Sequence, residues 1–182
     1  MATTHLLLDI PAVFLVYLAV DPSVRGAGVG GELFEFIHQL RVLPGSLGLV
    51  WEAERVADAE GEGDRRARQR RLRFFEAHGG AVVSEDYRQP ALDGIAPVPM
   101  NILFRPHGLD LDCDAAFVRA LVRSIYFEKY GALNGVSRLH LEDLLAGARR
   151  PRAPFLRDRA ELMAAVQACA GMKRPTAPTW RR

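Results

Sequence analysis

The chain has 182 residues, of which 49% are hydrophobic and 25% charged, and it carries a net charge of +2 at pH 7. This length suits one domain or a small domain with an extension, and the composition excludes general disorder. The near-neutral charge gives no overall case for a nucleic-acid partner. Cys113, Cys169 and five scattered histidines have the spacing of neither a disulfide framework nor a metal site, so we expect no metal.

The N-terminal region predicts a β-hairpin. Leu6 to Leu8 and Ala12 to Val20 are predicted strands joined across residues 9–11. The second run is almost wholly apolar, which is typical of a central strand buried on both faces. Asp9 and Pro11 interrupt the apolar region and no basic residue precedes it, so it resembles neither a signal peptide nor a membrane span. We therefore expect a soluble, cytoplasmic protein with no membrane partner.

Helices and strands alternate in the middle of the chain. In chain order after Val20, the predicted elements are a helix over Gly31–Leu40, a strand over Leu47–Ala53, a polar loop over Arg55–Gly63, a helix over Arg65–His78, a short strand over Ala81–Ser84, a loop over Tyr87–Val98 and a strand over Pro99–Phe104. Gly79-Gly80 is a predicted C-terminal cap, and the last two strands are predicted to pair. The order from Ala12 is thus β-α-β-α-β-β.

The pattern becomes helical after Pro106. Helices are predicted over Ala115–Tyr130, Ser137–Ala146 and Asp158–Ala170, with Ser137 and Asp158 as N-caps. Asp110, Asp112 and Asp114 lack the glycine and glutamate of a calcium loop and are better interpreted as an N-cap cluster. The sequence therefore predicts an α+β core over 1–106, a helical extension over 107–172 and a flexible basic tail over 173–182.

A glycine-rich turn, Arg25-Gly26-Ala27-Gly28-Val29-Gly30, lies between a predicted strand and a predicted helix. Such a turn exposes consecutive backbone N–H groups, and the helix N-terminus adds partial positive charge, so together they form an anion site. A plain tight turn that begins a helix is the alternative.

The same turn also fits a dinucleotide fingerprint. Gly26-x-Gly28-x-x-Gly31 has the required spacing, and Glu52 and Glu54 follow about 20 residues later, where that fold places its ribose-binding acid. The junction disfavours it, because residues 21–25 separate the strand from the first glycine. A P-loop is excluded because no Lys-Ser/Thr pair follows the glycines.

The flanking residues carry a family resemblance. Leu18 to Leu33 closely resembles the acyl-CoA-binding motif V-x-P-x-x-R/Q-G-x-G-x-G/A of the GNAT N-acetyltransferases, with every fixed position present. Leu72 to Gly80 is similar to the family's helix ending F-Y-E-x-x-G-F/A. The strand order also matches the C-terminal half of that fold. The resemblance covers residues 12–105 and implies a GNAT-like α+β fold with a mixed sheet.

The resemblance implies a site for acetyl-CoA. The loop amides would bind the pyrophosphate, Arg25 would lie near the phosphates, and the end of the preceding strand would hold the pantetheine through its backbone. The coenzyme-binding residues implied in this way are Leu18, Ala19, Val20, Arg25, Gly26, Ala27, Gly28, Val29, Gly30 and Gly31.

The resemblance further implies transfer of an acetyl group to a primary amine of a small molecule or peptide. Either Glu52 or Glu54 could be the base that deprotonates the amine; the two share a strand face, and solvated strand-end charges are the alternative interpretation. Phe75 stands where the family commonly has a proton-donating tyrosine. Tyr87 is a substitute candidate, the alternative being a tyrosine that packs with its hydroxyl in water.

One departure from the family lies upstream. Only Met1 to Pro11 precede the coenzyme strand, whereas the family has further strands and helices there that usually shape the acceptor site. The C-terminal helices could cover the gap, a second chain could do so, or the chain could be N-terminally truncated. An exposed sheet edge would favour a homodimer. A degenerate coenzyme A-binding module without turnover and an NAD- or FAD-dependent oxidoreductase remain alternative functions.

Arginines crowd the second predicted helix. Six of them lie between Arg65 and Arg73, after the acidic stretch Glu60 to Asp64. They could contact a 3′-phosphate or nucleic acid, but a solvated face balanced by the neighbouring acids is the preferred interpretation. We therefore expect no nucleic-acid partner.

Overall fold

The computed structural model describes residues 1–40, 45–92, 96–107, 111 and 113–147. The strands are β1 (Ala2–Leu7), β2 (Ala12–Leu18), β3 (Gly48–Glu54), β4 (Ala81–Gln89) and β5 (Val98–Pro106). The helices are α1 (Val29–Gln39), α2 (Glu62–Ala77), α3 (Ala115–Ser124) and α4 (Arg138–Gly147), and a π-helix over Ile125–Leu133 follows α3 directly.

The strands form one mixed sheet in the order β1-β2-β3-β5-β4. β1 and β2 form the predicted antiparallel hairpin. β2 and β3 are parallel, and the segment containing α1 provides the crossover connection that parallel neighbours require. β5 is antiparallel to both of its neighbours, β3 and β4. The predicted α+β class and the β-α-β-α-β-β order are therefore confirmed.

Helices cover both faces of the sheet. On one face, Phe34 of α1 and Phe75 of α2 pack against Trp51 of β3, with Phe34 and Trp51 ring centroids 5.1 Å apart. On the other face, α3, the π-helix and α4 cover Phe14, Val50 and Ile102. The C-terminal helices of the described chain therefore form the layer on the face opposite α1 and α2.

Glu128 attaches the π-helix to the β1–β2 turn. Its carboxylate accepts hydrogen bonds from the backbone N–H groups of Leu8 (2.6 Å) and Asp9 (3.1 Å), and also from the Ser124 hydroxyl. The Arg123 guanidinium adds an ion pair with Asp9 at 3.3 Å. The contacts with Leu8 and Asp9 join residues more than 110 positions apart in sequence, so the C-terminal helices hold the hairpin in place.

Some predicted element bounds need correction, and two further predictions concern residues outside the described part of the chain. β4 extends to Gln89, so Tyr87 lies on a strand rather than in the predicted loop over Tyr87–Val98. The helix predicted over Ala115–Tyr130 is α-helical only to Ser124 and then becomes the π-helix. The helix predicted over Asp158–Ala170 and the tail over 173–182 lie outside the described residues.

Candidate functional site

The glycine turn leads from β2 into α1. Gly26 and Gly28 have φ of +85° and +84°, a left-handed conformation that favours glycine. Gly28 is the N-cap of α1, and the first intrahelical bonds are donated by Gly31 (2.9 Å) and Glu32 (3.1 Å) to the Gly28 carbonyl. The amides that precede Gly31 are therefore the donors that the helix leaves for a ligand.

A cavity of about 340 Å³ lies against this turn. It is lined by Arg25 and the glycines of the turn, by Phe74 of α2 and by His78, the C-cap residue of α2. The Arg25 side chain turns back toward β2, where its Nε donates to the Val20 carbonyl at 3.1 Å. Together the helix N-terminus and the Arg25 guanidinium make this cavity a place for an anionic ligand.

The sheet opens directly ahead of this cavity. The β2–β3 ladder consists of three pairs and ends at Leu15–Trp51, whereas β3 continues to pair with β5 as far as Glu54. β2 carries a bulge here, since Leu15 and Tyr17 face the adjacent residues Thr4 and Thr3 and leave Val16 as the extra residue. A bulge bends its strand, so β2 diverges from β3 just before the glycine turn.

The predicted strand edge, Leu18 to Val20, forms one side of this opening. Ala19 exchanges two backbone hydrogen bonds with Met1, at 2.8 and 2.9 Å. Because antiparallel strands alternate the direction of their backbone groups, the backbone groups of Leu18 face away from β1 and toward the opening, while those of Ala19 face β1. The Val20 carbonyl is bonded to Arg25 Nε. The backbone N–H and C=O groups of Ala19 are thus both paired with Met1.

Glu52 of β3 lies at the centre of a hydrogen-bond cluster on the face covered by the C-terminal helices. Its carboxylate accepts from the hydroxyl of Tyr87, from Gln89 Nε2 at 2.7 Å and from the hydroxyl of Tyr130 at 2.8 and 2.9 Å. Gln89 Nε2 also donates to the Tyr130 oxygen at 2.9 Å. The structure thus joins two of the predicted candidates, Glu52 and Tyr87, and adds Gln89 and Tyr130.

Burial dominates the electrostatics of this cluster. It raises the pKa of Glu52 above the ordinary glutamate value, while the three hydrogen-bond donors act in the opposite direction. Burial and the nearby Glu52 carboxylate raise the pKa of Tyr87 and of Tyr130. The tyrosines therefore stay protonated at neutral pH, and Glu52 is a stronger base in its ionised form than an exposed glutamate.

The π-helix brings a lysine to the same cluster. Lys129 is 6% exposed, and its ammonium nitrogen lies 3.8 Å from the centre of the Tyr130 ring. Burial lowers the pKa of Lys129, and the Glu52 charge counteracts this shift. π-helical turns are frequent at functional sites, and this one places a tyrosine and a lysine beside Glu52.

Glu54 and Phe75 lie apart from this cluster. The Glu54 carboxylate pairs with the Arg71 guanidinium of α2. Phe75 is buried between Phe34 and Trp51, with ring centroids 5.6 and 4.9 Å away, and it carries no group that can donate a proton. Its neighbour Phe74 is the one that lines the glycine-turn cavity. The two predicted candidate bases therefore occupy different environments.

Sequence reasoning missed Tyr130, Gln89 and Lys129. The sequence predicts a helical extension that contains Tyr130 and Lys129 and a loop that contains Gln89, and no local signal places these residues near Glu52. The prediction that Tyr87 is a substitute proton donor did point to this cluster. The alternative interpretation, with its hydroxyl in water, is wrong, because Tyr87 is 2% exposed and bonded to Glu52.

The described residues contain neither a cluster suited to a metal ion nor a helix suited to spanning a membrane. No group of three or more His, Cys, Asp or Glu side chains in that part of the chain could hold a metal ion. Among the helices described there, none combines the length and apolar character needed to cross a membrane.

Comparisons with known proteins give one structural match. No protein-family model and no curated protein matches the chain. Among solved structures, the chain is similar to one from Bacteroides thetaiotaomicron described as "Putative acetyltransferase from GNAT family", with a TM-score of 0.50 and 23% identity over 69% of this chain. The match spans 61% of that protein, less than two thirds of its length. At this identity the likeness supports a GNAT-like fold.

Proposed function

We propose that this protein is an N-acyltransferase that binds acetyl-CoA and transfers its acetyl group to a primary amine. The observation that carries the proposal is the divergence of β2 from β3 beyond Leu15–Trp51, directly ahead of the glycine turn. A ligand with an anionic end and a long amide-containing arm fits this arrangement, because the anion can lie on the helix N-terminus and the arm between the strands. The GNAT-like fold supports the same proposal.

The residues around the glycine turn fit the coenzyme. A Cβ added at Gly26 or Gly28 would meet no protein atom within 4 Å, so the space in front of the turn is open to a phosphate. The amides of residues 26–30 would hold the pyrophosphate, with Arg25 beside it. Leu18 would offer its backbone to the amides of the pantetheine arm. Acetyl-CoA supplies the activated acyl group.

Glu52 is the group best suited to act as the base. An amine must lose a proton before it can accept an acyl group, and a carboxylate with a raised pKa takes that proton more readily than an exposed one. Glu54 is less suited, because Arg71 already neutralises its charge.

A tyrosine of the cluster is the candidate acid. Phe75 cannot donate, but Tyr87 and Tyr130 both carry protonated hydroxyls beside Glu52. A thiol has a pKa near 8.5, so a thiolate leaves without strong assistance. Holding two reactants in place contributes about 7–11 kcal/mol, which exceeds the effect of a general acid, about 10²–10⁴-fold. Positioning is therefore the larger part of the proposed catalysis.

Phe75 also motivates a second candidate, a coenzyme A-binding module without turnover. Its ring is enclosed by Phe34 and Trp51, so the family's usual proton donor is replaced by core packing. This candidate predicts coenzyme binding with no thiol release.

A thermal melt with added acetyl-CoA tests the binding claim. Ligand at about 100 times its dissociation constant should stabilise the fold by about 2.7 kcal/mol, and NAD at the same concentration should not. Stabilisation by NAD alone would favour the oxidoreductase alternative. No response to acetyl-CoA would refute the proposal.

Thiol release in the presence of a panel of primary amines then separates the two candidates. Release that depends on an amine and on Glu52 supports the acyltransferase. Coenzyme binding without release across the panel supports the module without turnover.

A further inference from the structure

A second cavity lies at the opposite edge of the sheet from β1, between β4 and α3. Its volume is about 340 Å³. This volume falls in the range of small-molecule sites and far exceeds the space of one water molecule, about 30 Å³. The glycine-turn cavity has a different set of lining residues, so the two cavities are separate.

The cavity results from the irregular course of β4. Between Val82 and Ser84, and again between Ser84 and Tyr87, β4 uses one residue more than its partner β5. Each extra residue bends the strand and re-aims side chains. Because β4 is an edge strand, these bends are free to open a space against α3, where Val118 and Val122 form an apolar wall.

Two tyrosine rings form the inner end of the cavity. Tyr87 and Tyr126 are stacked, with ring centroids 5.3 Å apart and an interplanar angle of 30°. Both hydroxyls have partners elsewhere, since Tyr87 donates to Glu52 and Tyr126 to the Arg88 carbonyl at 2.7 Å. An occupant would therefore contact the tyrosine rings rather than their hydroxyls. Aromatic rings attract cations, so these rings favour a cationic occupant.

The rim of the cavity is acidic. Glu85, Asp86 and Asp114 line it together with a single guanidinium, that of Arg119. Asp114 is already bound as the N-cap of α3, where it accepts from the Phe117 N–H at 2.7 Å. Within the described ranges, Glu85 and Asp86 form no ion pair with a lysine or arginine. The carboxylates of Glu85 and Asp86 are therefore available to an occupant, and Arg119 is the one cationic side chain that lines the cavity.

We propose that the β4–α3 cavity binds an amphipathic organic ammonium ion. The apolar body of the ligand packs against Val118, Val122 and the tyrosine rings, and its ammonium group lies at Glu85 and Asp86. An anionic ligand is disfavoured by the same carboxylates, and a purely apolar ligand would leave them unused. The inference does not depend on coenzyme binding or on acyl transfer.

Calorimetric titration with phenethylamine tests the proposal. 2-Phenylethanol and 3-phenylpropionate are the neutral and anionic probes of similar size. Phenethylamine should bind in roughly the millimolar range expected of so small a ligand, and each of the other two should bind about tenfold more weakly or not at all. Equal binding of all three probes, or no binding of phenethylamine, would overturn the proposal.

Two variants locate the binding. The double variant Glu85→Gln/Asp86→Asn should weaken phenethylamine binding about tenfold. The matched double variant Glu60→Gln/Glu76→Gln, with carboxylates exposed elsewhere, should not change it. Val122→Trp, which fills the cavity, should abolish it while leaving any acetyl-CoA binding intact.

Two results would contradict this location: unchanged binding in the Glu85→Gln/Asp86→Asn variant, or unchanged binding in a folded Val122→Trp variant.

Discussion

The Tyr130 hydroxyl lies 2.9 and 2.8 Å from the two carboxylate oxygens of Glu52, although the residues are 78 positions apart in sequence. One residue belongs to the π-helix and the other to a central strand of the sheet. A donor held against a buried carboxylate stabilises its charged form. The protonation of Glu52 therefore depends on how the C-terminal helices pack.

Tyr130→Phe should shift the pH dependence of the proposed acyl transfer. The base acts in its ionised form, so the rate should rise with pH through the pKa of Glu52, which burial raises above the ordinary glutamate value. Loss of the Tyr130 hydroxyl removes a donor to the carboxylate and should move this rise to higher pH. Initial rates against pH provide the measurement.

Tyr126→Phe is the matched control, because that hydroxyl donates to the Arg88 carbonyl and not to Glu52. Its pH profile should overlay that of the unmodified protein. If the two variants gave the same profile, Tyr130 would have no specific role in setting the pKa of Glu52.

Glu52→Gln and Glu54→Gln should separate the two candidate bases. Loss of a general base costs typically 10²–10⁴-fold in rate, which we expect for Glu52→Gln. Glu54→Gln should stay within about tenfold of the unmodified rate, because Glu54 is paired with Arg71. Single-turnover rates at saturating acetyl-CoA measure the rate loss in each variant. A larger rate loss in Glu54→Gln than in Glu52→Gln would make Glu54 the base.

Glu52 should also make the stability of the fold depend on pH. Its pKa is raised in the folded state, so the folded chain binds more protons than the unfolded chain between the two pKa values. The free energy of unfolding should then fall as pH rises from the ordinary glutamate pKa through the raised one. Urea unfolding across this window should show the fall, and Glu52→Gln should flatten it; an unchanged slope in the variant would assign the effect to other groups.

Gly28→Glu should abolish stabilisation by acetyl-CoA. The new carboxylate would lie at the N-terminus of α1, where it competes with phosphate for the same amides. Gly28→Ala adds only the backbone strain of a left-handed residue, about 1–2 kcal/mol, and should retain a coenzyme response. Gly63→Glu, which adds the same charge to open space on α2, is the control, and a response that survives Gly28→Glu would place the coenzyme elsewhere.

Gly31→Ala should destabilise the contact between α1 and α2. A Cβ at this position would lie 2.5 Å from His78 Nε2, and His78 is held by a 2.7 Å hydrogen bond between its Nδ1 and the Phe74 carbonyl. We expect a loss of about 1–3 kcal/mol in unfolding free energy.

Gly30→Ala is the comparison for this change, because its Cβ would meet Val20 at an ordinary 3.5 Å. Gly30→Ala should lower the free energy of unfolding by less than Gly31→Ala does. Combining Gly31→Ala with His78→Ala should recover part of the loss, and a failure to recover would attribute the effect to the backbone rather than to His78.

The order of elements was predictable because its signals are local. Apolar periodicity predicted β2, α1 and β3, and Gly79-Gly80 predicted the end of α2, where Gly79 has a φ of +77° and its N–H bonds the Glu76 carbonyl. The true length of β4 was not predictable. Glu85 and Asp86 are polar residues in a bulged edge strand, and they lack the alternation by which a strand is identified.

The sequence by itself determined the glycine turn and the strand before it. The positions of Gly26 and Gly28 predict the left-handed backbone that the structure shows there. An apolar strand followed by a glycine-rich helix start predicts an anion site. Only the tertiary structure decided which groups surround Glu52. Tyr87, Gln89 and Tyr130 reach it from a bulged strand and a π-helix, and contacts of that kind depend on the register and packing of distant segments, which no local pattern encodes.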